Sequence, residues 1–244
     1  MSEVQKYIDI CKSKYPFLQF KVYDIMEPTL NHKYGTISIV KIISTENTNE
    51  PLVVIPGYSF KSFNTMCDKL LEGINIIKDT FSVIYFINWG ETIKQKSIDC
   101  TKGIVDEREQ FEINERFREE MAIVLDKILR SKDMHFIEEG QSFSLLGKSA
   151  GGGISIYIAS MNMYVDRLFL CAPATITGGS LLKDRTSKKH PLDILLSWNK
   201  DDKMIPYQKH EQFVSDFEEQ GNIYSMFLYE EGGHELNVNF LMEL

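Results

Sequence analysis

The sequence predicts an α/β fold in which a mainly parallel sheet is covered by helices on both faces. Three observations carry this. Apolar runs of strand length alternate with helical segments from Leu52 to Tyr229, the order produced by right-handed crossovers rather than hairpins. Some runs, such as Leu52-Val53-Val54-Ile55, are apolar without alternation, as in strands buried on both faces. Finally, the apolar run Phe143 to Leu146 leads into Gly147-Lys148-Ser149-Ala150-Gly151, and Ile154 to Ala159 continues with helix-compatible residues. The turn between that strand and that helix must be sharp, with Ser149 at its apex.

The elements follow in order. Val4, Ile8 and Cys11 share one face of a helix that ends near Pro16, and Phe17 to Tyr23 is a short extended piece. Polar turn residues Pro28 to Lys33 precede Gly35 to Ile43, which is β-branched and partly alternating, as in a strand with one exposed side. Ser44 to Pro51 is a turn. Leu52 to Ile55, bounded by Pro56-Gly57, is a central strand, and a helix follows from about Lys61 to Leu71. Phe81 to Ile87 is the next strand, closing at Asn88-Trp89-Gly90. Residues 91–110 are polar and irregular, and a loop or short helix over the top of the sheet is expected there. Phe117, Met121, Val124, Leu125 and Ile128 recur at helical spacing within a long helix, Phe111 to Arg130. Beyond the serine turn, Arg167 to Cys171 is a strand ending at Ala172-Pro173. Thr175 to His190 lacks apolar periodicity and reads as a long loop, its basic part from Lys183 onward a solvated segment. Leu192 to Trp198 is a strand, Tyr207 to Glu219 a helix, and Ile223 to Tyr229 the final strand.

Composition narrows the function classes. A chain of 244 residues supports one large domain, with 43% hydrophobic and 25% charged residues, ordinary for a globular protein. The formal net charge of −8 argues against nucleic acid as a partner, because that binding relies on a basic surface. The amino-terminal residues lack a basic start followed by an apolar stretch, so no secretory signal is expected. No run reaches the ~18 apolar residues of a membrane span. Cys11, Cys67, Cys100 and Cys171 are scattered, without metal-ligand spacing. A reducing, cytoplasmic setting is the expectation. Nothing specifies an oligomeric state.

Glycines two residues before and two after Ser149 give Gly-x-Ser-x-Gly, the spacing of a strand-turn-helix that thrusts a serine hydroxyl out of strained backbone. A glycine-rich turn can also serve close packing alone. The Gly-Lys-Ser within it is not a phosphate-binding P-loop. That motif needs a glycine at position 142, where Ser stands. In open sheets reactive residues gather beyond the carboxyl ends of the strands. Two more candidates sit there, Asp202 in the segment after Trp198 and His234 after the last strand. A serine hydroxyl is a poor nucleophile at neutral pH. It needs an imidazole to take its proton and a carboxylate to orient that imidazole, and Ser149, Asp202 and His234 supply those groups. Asp201 is the neighbouring alternative for the carboxylate. His32, His135, His190 and His210 lie in polar surroundings and read as surface residues. Trp89, Tyr58, Phe60 and Met204 stand near the site loops and suit either a substrate pocket or core packing.

In three stretches the chain resembles the α/β-hydrolase superfamily. Gly147-Lys148-Ser149-Ala150-Gly151 matches its nucleophile elbow, Asp202-Lys203-Met204-Ile205-Pro206 looks like its Asp-x-x-(Val/Ile)-Pro acid loop, and Gly232-Gly233-His234 looks like its histidine loop. The resemblance runs from about Leu52 to the carboxyl end. It implies an α/β-hydrolase fold as a single domain over 1–244, with residues 1–50 as part of it and no large cap. It further implies a capless serine hydrolase acting on a small acyl substrate, of the esterase, thioesterase or lysophospholipase kind, with no cofactor and no metal. A peptidase or amidase, or a non-catalytic binding protein, are the alternatives on the same fold. By the same resemblance Asp202 is the acid, and the oxyanion donors are the N–H groups of Ala150 and Tyr58. Gly57 would let the backbone approach there, although a glycine after a strand is also an ordinary turn. Three features depart from the common pattern. Pro56 stands where many members have His, Lys148 precedes the nucleophile, and the interval from Pro173 to Leu192 is too short for a full helical cap.

Overall fold

A computed structural model of the chain describes residues 2–25, 36–44, 50–81, 83–175, 178–186 and 192–244. The strands are β1 (Gln19–Ile25), β2 (Ile37–Ile43), β3 (Leu52–Ile55), β4 (Val83–Trp89), β5 (Phe143–Lys148), β6 (Val165–Cys171), β7 (Asp193–Asn199) and β8 (Ser225–Tyr229). The helices are α1 (Glu3–Lys14), α2 (Phe60–Glu72), α3 (Ile74–Ile77), α4 (Glu91–Asp99), α5 (Glu107–Leu129), α6 (Ala150–Met161), α7 (Gly178–Thr186) and α8 (Gln208–Glu219), with a 3₁₀ turn at Val238–Glu243. Among the described residues no helix is long and apolar enough to cross a membrane.

All eight strands form one sheet in the order β1-β2-β4-β3-β5-β6-β7-β8. The β1/β2 and β2/β4 pairs are antiparallel, and every pair from β4 to β8 is parallel. Strand residues alternate between faces, so β3 feeds two cores. Val53 and Ile55 belong to the core on one face, which also contains Leu125, Ile154, Ile158 and Phe217. Leu52 and Val54 belong to the core on the other face, which also contains Ile8, Phe63, Leu70 and Phe240. All four β3 residues are buried, which explains why that run is apolar without alternation. The register sets Lys148 beside Cys171, Cys171 beside Ser197, and Ser197 beside Phe227. The carboxyl ends of β5 to β8 are thereby level, and the loops leaving them share one rim.

The order and type of the strands and main helices expected from the sequence are present, but β2, expected with one exposed side, is buried or half-buried at every position, and three further differences appear. The stretch 91–110 is mostly helical: α4 starts at Glu91 and buries only Ile93, and α5 starts at Glu107, where Asp106 caps it by accepting from the Glu109 N–H. The loop expected from Thr175 to His190 contains α7. Its amino end is capped from another helix, since the Asp216 carboxylate of α8 accepts from the N–H groups of Gly179 and Ser180 at 2.6 and 3.1 Å, and Leu182 is buried. A cap supplied from a residue 36 positions away leaves no local signature. The third difference is at His210, expected on the surface. It is buried, stacked on Tyr207 with ring centroids 4.1 Å apart, and its Nδ1 lies 2.8 Å from the Tyr207 carbonyl. His135 is exposed. The expected turns at 28–33 and 45–49, with His32 and His190, lie outside the described residues.

Candidate active site

Ser149 stands between β5 and α6 with φ 57° and ψ −125°, a conformation that side-chain-bearing residues rarely adopt. Three backbone bonds to its carbonyl hold it there, from Gly152 (3.0 Å), Gly153 (3.3 Å) and Ala174 (2.9 Å), while its own N–H donates to Cys171 at 3.1 Å. Only glycine fits at 151, because a Cβ there would overlap the carbonyl oxygen of Ile55. The glycines around Ser149 thus let α6 start directly against β3, and the turn is as sharp as the sequence requires.

Asp202 and His234 meet. His234 Nδ1 lies 2.7 Å from Asp202 Oδ2. The Asp202 side chain is 1% exposed, so its charge is compensated by hydrogen bonds. Oδ1 accepts from the N–H groups of Met204 and Ile205 at 2.8 and 2.9 Å, and Oδ2 faces the imidazole. A carboxylate on Nδ1 sets the tautomer, leaving Nε2 to accept a proton. Asp201, the sequence alternative, faces elsewhere and accepts from the Gly233 N–H at 2.7 Å. Among the described residues Ser149 and His234 are not hydrogen-bonded to each other. Such contacts are commonly long in the absence of substrate.

The two N–H groups expected as oxyanion donors, at Tyr58 and Ala150, have no backbone acceptor among the described residues. Tyr58 follows β3, next to β5, and Gly57 stands beside Ser149, the Cβ of which would be 3.9 Å from a Cβ added at Gly57. The Tyr58 ring packs edge-on against Trp89 and Phe117, and burial pushes its phenol up from the ordinary value. Trp89 is core, its Nε1 donating to the Pro56 carbonyl at 3.0 Å and so bracing the same loop. Phe60 stacks on Phe63, and Met204 is exposed.

Two contacts at the histidine loop escaped the sequence reading. Asn199 Nδ2, at the end of β7, donates to the carbonyls of Gly233 and Glu235, both at 2.9 Å, bracketing His234. Gly232 (φ 145°) lies so close to this amide that a Cβ would be 2.7 Å from Asn199 Nδ2. The only local signal for Asn199 is its place at a strand end. Lys148, expected near the site from its position before Ser149, is 4% exposed with Nζ 3.6 Å from Glu235 Oε2.

No family model and no curated protein sequence matches the chain. Solved structures do. A predicted CIB-like hydrolase from Thermoplasma acidophilum aligns over 93% of this chain and 100% of its own, with 19% identity and a TM-score of 0.55. A dienelactone hydrolase from Anabaena variabilis aligns over 89% of this chain and 88% of its own, with 11% identity and a TM-score of 0.57. Such identities establish shared architecture, in agreement with the strand order and the serine turn: the chain has the α/β-hydrolase fold.

Proposed function

We propose that this protein is a serine hydrolase that cleaves a carboxylic ester or thioester through an acyl-enzyme on Ser149. The observation that carries the reading is the 2.7 Å bond between a buried Asp202 and His234, on the same rim as a serine in strained backbone. His234 Nε2 takes the hydroxyl proton as Ser149 Oγ bonds to the acyl carbon. The N–H groups of Tyr58 and Ala150 stabilise the resulting oxyanion. On collapse the C–O or C–S bond breaks and His234 returns the proton to the leaving alcohol or thiol. Water, deprotonated by His234, then releases the acid and frees Ser149. Asp202 keeps the imidazole oriented and stabilises its cation throughout.

The test is covalent labelling by an organophosphonate beside turnover of a short aryl ester. Label on Ser149, with both label and turnover lost in Ser149→Ala, is the expected result. Full turnover by that variant would refute the mechanism. Failure of the wild type to react at all would favour a binding protein on the same fold. Aminoacyl anilides hydrolysed faster than aryl esters would reassign it as a peptidase or amidase.

A further inference from the structure

We propose that Lys148 is a positioning residue for the reaction: through Glu235 it draws the histidine loop toward the strand that carries Ser149. This rests on the hydrolytic reading and adds a residue to its machinery. Lys148 is the last residue of β5. Strand alternation sets it on the face of Leu146, opposite Gly147, which abuts α6. Its register partner Cys171 belongs to the same core, as does Leu236 just beyond the histidine loop. The Lys148 side chain is 4% exposed. An ammonium is costly to desolvate, and a buried ion pair is often no better for stability than apolar packing. Stability alone gives no reason for a lysine at this strand end. A residue that breaks the local pattern in this way points to a functional demand.

That demand is the span between β5 and the histidine loop. Ser149 leaves β5 and His234 follows β8, with β6 and β7 between them in the sheet. The histidine loop is bound to the end of β7 and the acid loop. Asn199 Nδ2 donates to the carbonyls of Gly233 and Glu235, Asp201 accepts from the Gly233 N–H, and Asp202 faces the imidazole. The serine turn is bound instead to the end of β6, through Cys171 and Ala174. Among the described residues the Lys148–Glu235 pair is the one hydrogen bond or ion pair that joins β5 or its turn to the histidine loop. The pair is slack. Nζ and Oε2 are 3.6 Å apart, against about 2.7–2.9 Å for a charged hydrogen bond, and Oε2 is buried without a hydrogen-bond partner. His234 likewise has its bond to Asp202 but none to Ser149. A shift of the loop toward β5 tightens the first contact and brings the imidazole nearer the serine turn. Substrate seated on the rim excludes water and strengthens the attraction between the two charges, so closure and binding reinforce each other.

The experiment measures kcat and KM on a short aryl ester, the rate of organophosphonate labelling, and urea unfolding, in Lys148→Met and Glu235→Gln. Lys148→Met removes the pull and leaves a carboxylate that can turn to water. Its kcat and labelling rate should fall by on the order of 10- to 100-fold, the effect of misplacing a catalytic group by a fraction of an ångström. KM should stay within about three-fold and the urea midpoint close to that of the wild type. Glu235→Gln keeps an oxygen that accepts from the ammonium but loses the counter-charge. It should be the less stable of the two and yet hold kcat within about five-fold of the wild type. The variants thus rank oppositely in stability and in rate, whereas a purely structural role makes rate follow stability. Rates that follow stability overturn the inference, as does a kcat in Lys148→Met within about two-fold of the wild type. If Glu235→Gln fails to fold, the Lys148→Met rate decides alone. Each of these results leaves the hydrolytic reading standing, because the wild type is active. A wild type that neither turns over the ester nor takes the label removes the hydrolytic reading, and the inference with it.

Discussion

Lys148 and Glu235 form an ion pair of 3.6 Å across the site, joining the residue before Ser149 to the residue after His234. The two partners are unequally placed, the lysine side chain being 4% exposed and the glutamate 39%. This asymmetry sets the outcome of substitution. Glu235→Gln leaves a buried ammonium without its counter-charge and should cost about 2–3 kcal/mol. Lys148→Met leaves a carboxylate that can turn to water and should cost ~1 kcal/mol or less. Urea unfolding of both variants checks the ranking, and equal losses would mean that the pair is not the lysine's main support.

Asp202 and Asp201 are adjacent in sequence and bond to different parts of one loop, the first to the imidazole and the second to the Gly233 N–H. Asp202→Asn should lower kcat by about 10³- to 10⁴-fold, since an amide in place of the carboxylate sets the wrong tautomer of His234. Asp201→Asn keeps an oxygen that can accept from Gly233, and a loss of under about ten-fold is expected. Ester kinetics on the two variants decide the assignment. A larger loss at Asp201 would reverse it.

Asn199 holds the histidine loop by two hydrogen bonds from a single amide. Asn199→Ala removes both and should destabilise the fold by about 1–3 kcal/mol. It should also lower kcat more than it raises KM, because the support lost is that of His234, which acts in the chemical step. Thermal unfolding and steady-state kinetics on the same preparation read both effects. A variant of wild-type stability and kcat would remove Asn199 from the site.

Burial pushes Cys171 up from its ordinary value of 9.0 to about 12, and Tyr85 from 10.0 to about 12. Both groups are neutral when protonated, and folding favours that form. The stability they contribute is therefore complete below about pH 9 and is lost as pH rises through about 12. Urea midpoints measured from pH 8 to 11 should fall, with the decline beginning near pH 9. Cys171→Ala should flatten the first part of that decline, and an unchanged slope would show that the thiol is not its source.

Much of the candidate site was legible along the chain because each part of it sits in a short local pattern. The Gly-x-Ser-x-Gly turn marks Ser149 through steric demands that act within five residues, and Asp202 and His234 follow strands whose apolar runs are unmistakable. Other contacts carry no such mark. The helix over Gly178–Thr186 is capped by Asp216 from α8. His210 is buried by stacking on Tyr207, although its neighbours along the chain are polar. The contacts of Asn199 depend on loops from neighbouring strands converging on one rim.

By itself the sequence determined the class of fold, the order of its elements and the serine, acid and histidine candidates, because strand burial and tight turns are encoded over a few residues. The folded chain alone decided what each candidate touches, with Asp202 on the imidazole and Asp201 on the Gly233 N–H, and which amide braces the histidine loop. Those choices follow from parallel strands ending level with one another, and from the low dielectric that makes each buried charge find a partner across the fold.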